Sequence, residues 1–285
     1  MKRRGPSILS TISGWALAGL LAVGTANIGV FPAFAVERFI TLASTTSTEN
    51  SGLFEAILPQ FTLAAGIAVR VVAVGSGAAL RLGRRGDVDV ILVHDREAEL
   101  RFVADGHGAT RRDVMYNDFV IAGPRIDPAK VRGMNDVVSA LRRIAAAFAP
   151  FASRGDDSGT HKAERRYWNA AAFDPKPGSG KWYFEAGSGM GATLNLAAAK
   201  GAYVLSDRAT WLSFKNRAWL RIAVEGDPQL FNPYGVILVN PARHPHVKRT
   251  AGLRFIDWLT SVAGRTAISE FRLAGQQVFF PAGRK

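Results

Sequence analysis

Arg38-Phe39-Ile40-Thr41-Leu42-Ala43-Ser44-Thr45-Thr46-Ser47-Thr48 runs from an apolar alternation straight into a cluster of hydroxyls. The alternation predicts a short strand and the hydroxyl cluster a turn at its carboxyl end. Glu49-Asn50-Ser51-Gly52 then leads into Leu53, Phe54, Ile57, Leu58 and Phe61, whose helical spacing carries to Gly66. The same unit comes again. Residues 69–74 read as a strand, Gly75-Ser76-Gly77 as the turn, 78–82 as a helix and 89–93 as a third apolar strand. Strand, loop and helix in repetition give an α/β fold with parallel strands, in which ligands gather at the carboxyl ends of the strands.

Downstream, 119–124 reads as a strand leaving this first unit. A helix is expected over 134–148, with Val137, Val138, Leu141, Ile144 and Ala145 on one side. A helix over 164–172, a Pro/Gly-rich stretch over 174–180 and an apolar helix over 194–199 follow. Short strands are expected at 203–205, 222–224 and 234–239, then helices over 252–259 and 264–271. The simplest arrangement is two α/β lobes, residues 36–121 with 235–285 forming one and 122–234 the other. The chain would cross between them near 119–124 and 232–239, and such lobes can close on a ligand by hinge motion.

Lys2, Arg3 and Arg4, an apolar stretch over 12–31 and Ala33-Phe34-Ala35 have the build of a secretory signal, with cleavage expected after Ala35. That leaves 285 − 35 = 250 residues, enough for two modest domains, and 48% apolar composition supports a real core. The chain has no cysteine, so the exported protein must be held by its core, and it has no lipobox thiol to carry a lipid. These features predict a free periplasmic protein. Formal charge falls from +13 to 13 − 3 = +10 with the signal. The basic residues are scattered, and export argues against nucleic acid, so the charge reads as surface character that helps steer a small anion.

Ser153-Arg154-Gly155-Asp156-Asp157-Ser158-Gly159-Thr160-His161 is a second hydroxyl-rich turn before a helix, here with an arginine. Hydroxyls, free N–H groups at a helix start and a guanidinium together make a pocket for a small ionised oxyanion. Each part also has a plainer reading. Thr45, Thr46 and Ser47 could be an ordinary helix cap, Gly75-Ser76-Gly77 a tight turn, and Arg154 an ion-pair partner of Asp156 or Asp157 that such a pair would orient. Gly187-Ser188-Gly189-Met190-Gly191-Ala192-Thr193 offers backbone N–H groups at another helix start and lacks the lysine and spacing of a nucleotide-binding P-loop. His244-Pro245-His246 reads as surface loop rather than a metal site, and Asp87 with Asp89 does not complete a hydrolase arrangement. Trp168 and Trp182 are expected near the lobe interface.

Segments 43–53, 74–80, 90–95, 116–120, 153–161, 203–208 and 231–235 together resemble, in order and spacing, the tungstate-binding periplasmic component of ABC transporters. The resemblance spans nearly the whole chain after the signal, with Ser44 where that family usually has threonine. It implies a two-lobe, type II-like periplasmic binding protein with its ligand cleft between the lobes, no enzymatic chemistry and no cofactor. It also implies delivery of tungstate by an expected monomer to a permease subunit. Oxyanion contacts are expected from Thr45, Thr46, Ser47, Ser76, Gly77, Arg154, Ser158, Gly159, Thr160, Gly189 and Met190. Molybdate, nearly the same in size and charge, is left open, as are a general oxyanion receptor, a sensor, and an extracytoplasmic enzyme on phosphate or sulfate esters.

Overall fold

The fold is seen in a computed structural model that describes residues 39–283; the expected signal and its cleavage point lie outside the described residues. β1 (Phe39–Thr45) turns into the short α1 (Thr46–Asn50), and α2 (Leu53–Ala65) follows. β2 (Ala68–Val74), α3 (Ser76–Arg85), β3 (Val90–Val93) and α4 (Arg96–Ala104) continue the alternation. The long β4 (Gly108–Pro124) leads to α5 (Val137–Ala146), β5 (Phe151–Ser153), α6 (Gly159–Ala170), β6 (Tyr183–Glu185), α7 (Met190–Lys200), β7 (Tyr203–Asp207), α8 (Arg208–Ser213) and β8 (Leu220–Val224). β9 (Phe231–Val239) returns, α9 (Arg249–Thr260) and α10 (Val262–Glu270) follow, and β10 (Arg272–Leu273), β11 (Gln276–Gln277) and β12 (Phe280–Pro281) end the chain.

The strands line up in the order β2-β1-β3-β9-β4-β7-β5-β6, with β8 and β12 also on β4. β1 is parallel to β2 and β3, and β5 is parallel to β6 and β7. Parallel register puts their carboxyl ends side by side: Thr45 opposite Val74, Ser44 opposite Leu92, and Ser153 opposite Glu185. Every loop after these strands therefore opens at the same edge of its half. The halves are joined by β4 and β9, which pair antiparallel from Gly108 with Val239 to Asp118 with Phe231.

Apolar burial divides at the same two strands. One core takes β1 to β3, β4 as far as Met115 and the return from Tyr234 onward, and Ala209 of α8 packs into it. Two further clusters lie between Phe119 and Leu230, one around Phe151, Trp168 and Tyr203, the other around Val120, Ala152 and Leu194. β4 and β9 thus carry side chains of both halves along single strands, so they serve as the hinge.

Several local features differ from what the sequence suggests. At the hydroxyl cluster 45–48 the helix-cap reading is the one seen, with Thr45 Oγ1 accepting from the Thr48 N–H at 3.3 Å and the rest forming the first turn of α1. β4 begins eleven residues before the expected strand, in a charged stretch that reads as loop. Trp168 and Trp182 are not at a lobe interface: both are buried in one lobe's core, edge-on to each other at 6.2 Å, with Phe151 and Tyr183 beside them. Among the described residues, no helix is long and apolar enough to cross a membrane.

Candidate functional site

β1 and β2 end in one place because their register ends at Thr45 and Val74, and each strand end becomes a helix start. Ser47 and Thr45 share a hydroxyl contact at 3.1 Å, and Thr45 and Thr48 another at 2.7 Å. Thr45 is therefore spent as the cap of α1, while Thr46 stands at its first turn half-buried. α1 has only five residues, so it offers N–H groups rather than a strong dipole. Ser76 begins α3; its hydroxyl is fully buried and has no hydrogen-bond partner among the described residues. A buried hydroxyl left unmatched costs free energy unless a ligand meets it.

The other half presents the 153–160 segment at the end of β5. Arg154 is 5% exposed, and its Nε and Nη2 both donate to Asp156 Oδ2, at 3.1 and 2.5 Å. Asp156 Oδ1 accepts from the Ser158 N–H and hydroxyl. One carboxylate thus ties the guanidinium to the start of α6, and Nη1 of Arg154 is left without a partner among the described residues. Ser158 caps α6 by accepting from the His161 N–H at 3.1 Å. Beneath the loop, Gly155 N–H donates to Ser153 Oγ and His161 Nδ1 at 3.2 and 3.1 Å. Tyr183 donates to Glu164 at 2.7 Å, and burial pushes that carboxyl up to about 7.

The two halves meet at these loops. Gly77 N–H donates to the Asp157 carbonyl at 3.3 Å. A Cβ on Gly159 would stand 2.9 Å from His94 Cε1 and 3.0 Å from Ser76 Oγ, so the start of α6 lies directly against α3 and His94. Of the residues expected to bind an oxyanion, Ser76, Gly77, Ser158 and Gly159 come together across the halves. Thr45, Thr46 and Ser47 adjoin them through the β1–β2 register, and Arg154 is four residues before Ser158 in the facing loop. The Gly77 N–H is taken by Asp157 and the Ser158 hydroxyl by Asp156, so neither of these groups is free. Thr160 is buried at the first turn of α6. Gly189 caps α7 beside this edge, where Gly155 approaches Glu185 and Gly187. Met190 buries its side chain with Ala152 and Leu194, which leaves its backbone alone for a ligand.

A buried polar network behind the site was not expected from sequence. Asn232 Nδ2 donates to Asn117 Oδ1 at 2.7 Å, across the paired hinge strands. The amide's acceptor end therefore faces His94, and Nδ1 of that imidazole donates to Asn232 Oδ1 at 3.0 Å. Asn117 Nδ2 reaches Asp207, which caps α8. Burial lowers the pKa of His94, against the opposing effect of Asp207, Asn232 and Asp95, and Arg154 lowers it further. His244 and His246, by contrast, donate from Nε2 to the carbonyls of Arg84 and Gly86 at 3.1 and 2.8 Å.

Two groups of parallel strand ends thus face each other across the paired hinge strands, with the start of α6 against α3. The profile of the PBP superfamily domain matches residues 31–263. The tungstate-binding protein TupA of Peptoclostridium acidaminophilum is 45% identical over 250 residues, 86% of either chain. The chain belongs to this family of periplasmic binding proteins. Its relatives include the solved tungstate-binding protein TupA from Desulfovibrio alaskensis G20, at 46% identity and a TM-score of 0.75 over 86% of this chain and 99% of that one. The solved tungstate ABC transporter protein from Geobacter sulfurreducens is also 46% identical, with a TM-score of 0.76 over 83% of this chain and all of the other. The fold is accordingly the two-lobe α/β type, with its cleft between lobes and two hinge crossings.

Proposed function

We propose that this protein captures tungstate between its lobes and delivers it to the permease of an ABC transporter. Residues 36–121 with 235–285 form one lobe in this reading and 122–234 the other, working as a monomer outside the cytoplasm after removal of the signal. The observation that carries it is the meeting of Ser76, Gly77, Ser158 and Gly159 across the cleft beside Arg154. The tungstate-binding relatives support the same ligand.

A tetrahedral dianion needs donors on several sides and one compensating charge. Ser76 Oγ, the N–H groups at Thr46, Ser47, Thr160 and Met190, and the unpaired Nη1 of Arg154 supply both kinds. Asp156 holds Arg154 through Nε and Nη2 on one carboxylate oxygen, so Nη1 is the donor left for the anion. The carboxylates nearest these loops are already engaged: Asp156 by Arg154 and Ser158, Asp157 by Arg81 and Lys162. The hydroxyl of a monoprotonated phosphate would have to compete for these engaged carboxylates, and such a ligand would bind more weakly. Binding of this kind involves no covalent step.

Calorimetric titration of Arg154→Ala with tungstate and with molybdate tests the reading. The wild type binds tungstate, and the variant loses roughly a hundredfold in affinity, as expected when one member of a buried charge-assisted contact is removed. An unchanged affinity in a folded Arg154→Ala protein contradicts the role given to Arg154. Molybdate in the same titration shows how far the pocket separates the two anions.

A further inference from the structure

A chain of alternating charges crosses the cleft beside the site. Asp157 lies in the loop before α6, and its carboxylate meets Arg81 Nη1 of α3 at 2.6 Å and Lys162 Nζ of α6 at 3.1 Å. The Lys162 ammonium continues to Asp95 Oδ2, also at 3.1 Å, on the opposite lobe. Asp95 is 3% exposed; its Oδ1 caps α4 through the Ala98 N–H, and Oδ2 has no donor besides Lys162 among the described residues. The chain thus crosses between lobes twice, at Arg81 with Asp157 and at Lys162 with Asp95.

The two crossings differ in weight. Arg81 and Asp157 are 54% and 49% exposed, so water and salt weaken that pair. The Asp95 carboxylate is withdrawn from water, and a buried charge deprived of its partner is costly. Gly77 also makes sense in this setting: a Cβ there would come within 1.9 Å of Asp157 Oδ2 and 2.9 Å of its carbonyl oxygen. The residue is glycine because Asp157 lies on it.

We propose that Lys162 and Asp95 are positioning residues that hold the lobes together around the bound anion, with Arg81 and Asp157 as a weaker second link. They act on the lifetime of the closed form. The anion enters while the lobes are apart, when Asp95 and Lys162 are hydrated, so its association rate does not depend on their pairing. It leaves only after the pair separates, so its dissociation rate does.

The inference rests on tungstate as the ligand, and the test separates the two claims. Association and dissociation rates for tungstate are measured by stopped-flow tryptophan fluorescence in the wild type, Lys162→Met, Lys162→Gln, Asp95→Asn and the double variant Asp95→Asn with Lys162→Met. Lys162→Met and Lys162→Gln each raise the dissociation rate about tenfold and leave association within about twofold. Adding Asp95→Asn to Lys162→Met moves dissociation back toward the wild type, because the stranded carboxylate is gone. A merely structural lysine would show no such rescue. Dissociation from both Lys162 variants at the wild-type rate, or a double variant no slower than Lys162→Met, overturns the clasp. A wild type that does not bind tungstate overturns the ligand assignment instead.

Discussion

Ser76 is the clearest case of a side chain that the protein itself leaves without a partner. Its hydroxyl is fully buried and unpartnered among the described residues, at the first position of α3. Ser76→Ala should therefore leave the melting temperature of the free protein unchanged or slightly higher while weakening tungstate binding about tenfold, the worth of one hydrogen bond to a charged ligand. Calorimetry and thermal unfolding on the same sample check both halves. Glu164 gives a prediction in pH. Burial raises its carboxyl from 4.5 to about 7, so the folded state holds its proton more tightly than the unfolded chain. Stability from this group is complete below about pH 4.5 and is lost as pH rises through about 7. Glu164→Gln lacks that loss and should gain about 2–3 kcal/mol on the wild type between pH 5 and pH 8 in urea unfolding; a pH-independent difference would contradict it. Ser76, Arg154 and the 158–160 turn could be singled out as candidates from the sequence because hydroxyls and an arginine before helix starts are local signals. His94, Asn117 and Asn232 were not, since each is a single polar residue whose partner lies more than a hundred positions away.

At the scale of elements, β4 and β9 decide how the lobes are joined. Their pairing puts Asn117 opposite Asn232, and both amides are buried with His94 and Asp207 in one line of hydrogen bonds. Asn232→Ala strands the Asn117 carbonyl and the His94 N–H together and should cost roughly 2–4 kcal/mol in chemical denaturation. A cost below about 1 kcal/mol would show that the amides do not hold the hinge. The parallel units of the first lobe were readable from period and punctuation: β1, β2 and β3 each end in a turn rich in glycine, serine or acidic residues. The early part of β4 was not, because Gly108-Ala109-Thr110-Arg111-Arg112-Asp113 has the charge of a loop. It is held in the sheet by β9 and by the buried contact of Arg111 with Glu99 at 2.6 Å. β5 and β6 have three residues each, too few for any alternation to show. The tryptophans misled because sequence shows that Trp168 and Trp182 are large and apolar, and only tertiary packing shows which core takes them.

For the whole molecule, the proposed function has two lobes close on one small anion. Bound ligand stabilises the folded state by mass action, independent of which residue makes which contact. The most direct measurement is thermal unfolding of residues 36–285 with tungstate, molybdate, sulfate and phosphate at matched concentrations. At about a thousand times its dissociation constant, the cognate anion should stabilise the protein by about 4 kcal/mol, a rise of about 8–16 °C for a chain of this size. The account predicts that rise with tungstate and much smaller shifts with sulfate and phosphate. An unfolding temperature that none of the four anions moves would contradict it.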